Sequence, residues 1–181
     1  MKDINDLLRD NIKTIKAYSS ARDEYKDASS DMVFMDANEN PFQTNVNRYP
    51  DPQQSLVKDY LSEIKGVLTS QILLGNGSDE VLDLLFRAFC EPKQDNVITL
   101  PPTYGMYSVL ADLNAIEIKS VLLDEYFEPK VSEILSTQNV NSKILFLCSP
   151  NNPTANSFNN NKVEELIKNF NPLVVICLTT A

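Results

Sequence analysis

Three short segments carry residue types suited to chemistry on a small charged ligand. In GNGSDE, residues 75–80, two glycines allow a tight turn directly ahead of an apolar helical pattern. The amides of Gly77, Ser78 and Asp79 would then lie at a helix amino end, where anions are favoured, and the Ser78 hydroxyl adds a donor. The same residues also make an ordinary helix cap with acidic residues in its first turn. No lysine follows the glycines, so this is not a Walker loop. In PPTYGMY, residues 101–107, two prolines stiffen the chain before Tyr104, an aromatic that could stack on a flat ring or simply pack on its own domain. In SPNNPTANSF, residues 149–158, Asn152 stands between Asn151 and Pro153. It presents a fixed side-chain amide, or belongs to a plain Pro/Asn turn.

The composition narrows the chemistry further. The 181 residues include no histidine, which removes the usual neutral-pH acid/base, the serine-type triad and most zinc sites. Acid/base work would fall to Lys, a carboxylate, Tyr or a cofactor. A net charge of −9 argues against nucleic-acid or anionic-membrane partners. Cys90, Cys148 and Cys177 are widely spaced in apolar stretches and read as reduced buried thiols. The amino terminus shows no secretory signal, and no apolar run approaches the roughly 18 residues of a membrane span. A cytoplasmic protein is expected.

The elements that must position these segments follow from periodicity. Residues 3–17 show a loose helical stripe, Met32–Met35 a short strand, and residues 53–67 a helix. From QILL (71–74) onward, strands and helices alternate. Strands are expected at 71–74, 96–100, 116–123, 143–148 and 173–178. Helices are expected at 81–90, 103–113 with Thr103 as cap, 129–136 and 162–170. Such alternation implies an α/β fold with a mostly parallel sheet and helices on both faces. All three candidate segments then follow strands, at the end where α/β proteins bind ligands.

Taken together, YSSARDEY (18–25), DANENPF (36–42), RYPDPQ (48–53), GNGSDE (75–80), FRAFCEP (86–92), PPTYGMYSV (101–109) and CSPNNPT (148–154) resemble the fold-type I pyridoxal-phosphate aminotransferases. ANENP and RYPDP point to their histidinol-phosphate branch, and the likeness runs from residue 10 to Ile176. The resemblance implies that Gly77, Ser78 and Asp79 hold the cofactor phosphate, that Tyr104 stacks on the pyridine ring, and that Asn152 donates to its phenolic oxygen. It implies that Tyr49 reaches the cofactor phosphate of a neighbouring subunit in a homodimer, and that Tyr18 and Asn38 lie near the amino-acid substrate. It also implies transfer of an amino group from L-histidinol phosphate to 2-oxoglutarate, in histidine biosynthesis.

Two departures qualify this. Ala155 replaces the family's glycine after SPNNPT. Where the family continues from LVVI into Asp-Glu-Ala-Tyr, whose Asp pairs with the pyridine nitrogen, this chain reads Cys177, Leu178, Thr179, Thr180 and ends at Ala181. A neutral thiol is no counter-charge, and the Schiff-base Lys would lie further on. The expectation is therefore the amino-terminal half of such an enzyme, catalytically inactive by itself, with weak or no cofactor binding. Residues 1–30 would form a helical arm or small-domain segment, and residues 31–181 an incomplete cofactor-binding large domain. The competing expectations are an amino-acid-phosphate decarboxylase of the same fold and a non-catalytic fragment that pairs with a full-length subunit.

Overall fold

Strong apolar patterning after residue 75 builds the central sheet. The computed structural model describes residues 3–19, 33, 35 and 37–178. These divide into two units: residues up to Thr14 together with those from Gly75 onward, and Ile15–Leu74.

In the first unit, four strands, β1 (Asn96–Thr99), β2 (Glu117–Ser120), β3 (Ser142–Cys148) and β4 (Leu173–Cys177), pair in the order β2-β1-β3-β4. Every pairing is parallel. Parallel strands need crossovers, and helices supply them. Alternate side chains of β3 face opposite ways, so each face of the sheet has its own core. Ile144, Phe146 and Cys148 pack with Leu82, Phe86 and Phe89 of α4 (Ser78–Phe89) and with Tyr107, Leu110 and Ala111 of α5 (Met106–Leu113). Leu145 and Leu147 pack on the other side with Ile134 of α6 (Val131–Thr137) and Leu166 of α7 (Asn160–Asn169). The i, i+4, i+7 spacing of Leu82, Phe86 and Phe89 is what turns α4 toward the sheet. The expected α/β class, parallel sheet and helices on both faces are all present.

Several local expectations are corrected. The stripe at 3–17 forms two short helices, α1 (Ile4–Leu7) and α2 (Asp10–Thr14), not one. Between them the Arg9 amide donates to the Ala88 carbonyl at 3.0 Å, and its guanidinium bonds Glu91 at 3.0 Å, so a tertiary partner replaces the helical one. QILL forms no strand: Thr69–Gln71 is a 3-10 turn, and Leu73 beyond it is exposed. The helix expected from Thr103 begins only at Met106, because the Thr103 hydroxyl is engaged elsewhere. In the expected strand Met32–Met35, Met32 and Phe34 lie outside the described residues.

The second unit contains α3 (Ser55–Lys65). Asp51 starts it: its carboxylate accepts from the Gln53 and Ser55 amides, each at 2.8 Å. Gly66, at φ 64°, closes it in the left-handed conformation glycine permits. Upstream, the nearly buried Glu39 carboxylate accepts from Arg48 and from the Tyr49 amide, both at 2.8 Å.

Candidate functional site

In an open parallel sheet, the crevice lies where the strand order reverses direction. Here β1 connects outward to β2 while β3 and β4 build on its other side, so the reversal falls between β1 and β3. The loops leaving those two strands are 100–105 and 149–159, which contain two of the three candidate segments.

One buried side chain ties these loops together. Asn151, only 2% exposed, donates from Nδ2 to the Pro102 carbonyl at 2.8 Å and to Thr154 Oγ1 at 2.7 Å. Its Oδ1 accepts from the Thr103 hydroxyl at 3.1 Å. The amide is thus satisfied at both ends, as a buried amide must be. Asn152, next along the chain, is exposed. Pro102, Pro150 and Pro153 all follow cis peptide bonds.

The third segment approaches through α4. Gly77 precedes its first turn at φ 84°, a conformation few side chains tolerate. A Cβ on Gly75 would fall 2.6 Å from Val81 Cγ2, so the turn also demands a glycine there for space. The 12-residue helix then presents its amino end, with Ser78 exposed and Asp79 half-buried. Tyr104 donates from its hydroxyl to Asp79 Oδ1 at 3.0 Å, which joins the loop after β1 to the start of α4. That hydrogen bond, with smaller contributions from burial and the Asp79 charge, holds the Tyr104 phenol above its usual pKa.

Between these parts lies a cleft of about 510 Å³. Ser78 and Tyr104 line its rim, while Tyr107, Cys148 and Cys177 line its floor. Its remaining walls are apolar side chains of α4 and β4 and Leu178 just beyond β4. Cys148 and Cys177 are paired residues at the carboxyl ends of neighbouring strands. Burial raises the Cys177 pKa, so the thiol stays neutral.

These residues fit part of a pyridoxal-phosphate molecule. A glycine turn on a helix amino end suits its phosphate, and a tyrosine fixed by a hydrogen bond suits its ring. They do not supply the rest: among the described residues no lysine lines the cleft, and Cys177 offers no counter-charge for a pyridinium. The structure brings Gly77, Ser78, Asp79 and Tyr104 together at this cleft and sets Asn152 in the adjoining loop. Tyr18, Asn38 and Tyr49 belong to the second unit, where all three are exposed. Sequence reasoning passed over Asn151 and Tyr107. Asn151 sat in the quoted motif, but its partners on the other loop, Thr103 and Pro102, are 48 and 49 residues away, and no local pattern reports them.

Among the described residues, no helix is long and apolar enough to cross a membrane. Known proteins agree with the geometry. The chain is 64% identical over 173 residues to a histidinol-phosphate aminotransferase of Flavobacterium psychrophilum, covering 96% of this chain and 50% of that protein. It is 52% identical to the enzyme of the same name from Bacteroides thetaiotaomicron, covering 97% and 51% respectively. The chain therefore spans about half the length of the curated relatives it matches. Among solved structures, histidinol-phosphate aminotransferase from Sinorhizobium meliloti in complex with pyridoxal-5'-phosphate superposes with a TM-score of 0.65. The identity there is 19%, over 71% of this chain and 35% of that one. Aspartate aminotransferase from Thermotoga maritima gives 0.62 at 22% identity, over 71% and 37%. At such identities the likeness is one of fold. Residues 21–177 match the family described as aminotransferase class I and II, and with that match across most of its length the chain belongs to that family.

Proposed function

We propose that the cleft is the cofactor-holding part of a histidinol-phosphate transaminase. The observation that carries this reading is the bond from Tyr104 to Asp79, which fixes a ring-sized aromatic beside a glycine-led helix amino end. In this reading Gly77, Ser78 and Asp79 receive the phosphate of pyridoxal phosphate. Tyr104 covers one face of its ring and Asn152 meets its phenolic oxygen. Tyr49 serves the site of a second subunit in a homodimer, and Tyr18 and Asn38 approach the amino-acid substrate. When bound, the cofactor supplies the electron sink for moving an amino group. The chain's own residues only bind and orient it. The names of the relatives support histidinol phosphate as the amino donor; 2-oxoglutarate as acceptor and a cytoplasmic setting belong to the same reading. With no lysine among the described residues that line the cleft, the 181-residue chain alone turns over nothing in this reading.

The test avoids the missing amine. Pyridoxamine 5'-phosphate needs no covalent attachment, so its binding to the chain is followed by its own absorbance and fluorescence. Weak saturable binding is expected. Pyridoxamine without the phosphate should bind at least about tenfold less tightly, and Tyr104→Ala should weaken binding similarly, since a charge-assisted contact or an aromatic stack is worth about 1–3 kcal/mol. Equal affinity for the two amines, or indifference to Tyr104→Ala, would refute the assignment.

A further inference from the structure

Cys148 and Cys177 end neighbouring parallel strands as a register pair. Alternation along β3 and β4 turns both side chains to one face of the sheet, where they join the core beneath α4 and α5. Both are free thiols; Cys148 is 1% exposed, Cys177 is half-buried, and both lie at the floor of the cleft. Tyr107 completes the group. Its ring is stacked on Phe146 at 4.7 Å between centroids and 15° between planes, which fixes the hydroxyl beside the two sulfurs. Burial first, then hydrogen bonding to the Cys177 thiol, raises the pKa of the phenol, so it keeps its proton and faces that sulfur as a donor.

The spacing decides what two such thiols can hold. Side chains of a parallel register pair project side by side, so their Cβ atoms stay near the strand separation of about 4.8 Å. A disulfide needs about 3.8 Å between Cβ atoms, and the ladder of the sheet resists that closure. Two metal–sulfur bonds of about 2.3 Å laid end to end span about 4.6 Å, which the pair meets without moving the strands. Thiolates are soft ligands, and the surrounding walls are apolar. Among the described residues no three or more histidine, cysteine, aspartate or glutamate side chains converge on a metal, so an ion that needs four ligands finds too few.

We propose that Cys148 and Cys177 form a two-coordinate site for a soft monovalent metal ion, copper(I), at the floor of the cleft. Each thiol releases its proton to solvent as its sulfur bonds the ion, and Cys148 gives up its 3.6 Å hydrogen bond to the Pro150 carbonyl. No electron is transferred. The bis-thiolate centre carries one net negative charge, and the Tyr107 hydroxyl donates to its Cys177 sulfur, the kind of partner a buried anion needs. Cys90, which follows α4, does not line the cleft and takes no part. The site needs no cofactor, so it stands or falls separately from the transaminase reading.

The test is a titration of the reduced 181-residue chain with copper(I) without oxygen, against a chromophoric copper(I) chelator that reports the free ion. One ion per chain is expected, with two protons released and two sulfur neighbours in X-ray absorption. Cys148→Ser and Cys177→Ser should each weaken binding at least about a hundredfold, since losing a ligand costs no less than losing a residue that supports one. Tyr107→Phe should weaken it about tenfold, the worth of a hydrogen bond to a charged group. Cys90→Ala should leave it unchanged. In urea strong enough to unfold the chain, the three cysteine variants should bind alike, because the selectivity belongs to the fold. Circular dichroism reports folding, and if Cys148→Ser does not fold, Cys177→Ser and Tyr107→Phe decide the matter. A single sulfur neighbour, an equal loss with Cys90→Ala in the folded chain, or full affinity after Cys177→Ser overturns the proposal.

Discussion

Replacing Asn151 by alanine should loosen the site more than any change at the exposed residue beside it. The Asn151 side chain makes three hydrogen bonds at 2.7–3.1 Å, to Pro102, Thr103 and Thr154, from a position 2% exposed. A neutral hydrogen bond contributes about 1 kcal/mol net, so the gross loss is about 3 kcal/mol. Thr103 and Thr154 are only half-buried, so water recovers part of their share, and about 2–3 kcal/mol should remain. With a urea slope of about 2 kcal/mol per molar for a chain of this size, the midpoint should fall by about 1–1.5 M. Asn152→Ala, on an exposed side chain, should stay within about 0.5 kcal/mol. A cycle pairing Asn151→Ala with Thr103→Val should show coupling near 1 kcal/mol, the worth of their shared bond. A midpoint shift for Asn151→Ala below about 0.25 M, or no coupling to Thr103, would refute the claim that this amide joins the two loops.

Two further expectations concern backbone and pH. Ala155 sits at φ 60°, which strains an L-residue with a Cβ, so Ala155→Gly should stabilise the chain by about 0.5–1 kcal/mol in the same assay. A neutral or destabilising result would mean that the loop does not hold that conformation. The Asp51 carboxyl is held below the ordinary value of 3.8 chiefly by the Ser55 amide and hydroxyl and then by the Gln53 amide. Since its folded pKa is depressed, its support for the start of α3 is fully present above pH 3.8 and is lost as pH falls through the lower folded value. An NMR titration should place the Asp51 midpoint below 3.8, and a midpoint at or above it would contradict the cap.

Much of this was legible in the linear chain because periodicity reports what an isolated segment must bury. The runs at 96–100, 143–148 and 173–178 are strands in the structure, and their alternation with helices carried the parallel α/β class. The glycines at 75 and 77 likewise announced a turn into a helix, because no other residue fits those torsions or that space. The failures share one cause. QILL is apolar enough for a strand, but a strand exists only where another offers a ladder. Thr103 is a good cap residue by type, yet its hydroxyl goes to Asn151. The stripe at 3–17 breaks where Arg9 finds partners on α4 and just beyond it. Asn151 owes its role to Pro102 and Thr103, brought close by a crossover from a distant part of the sequence. Which elements form was determined locally, by torsional preference and the face each must hide. Which of two adjacent asparagines ties the two loops together was decided only when β1 and β3 came side by side, because hydrogen-bond partners are fixed by distance in space.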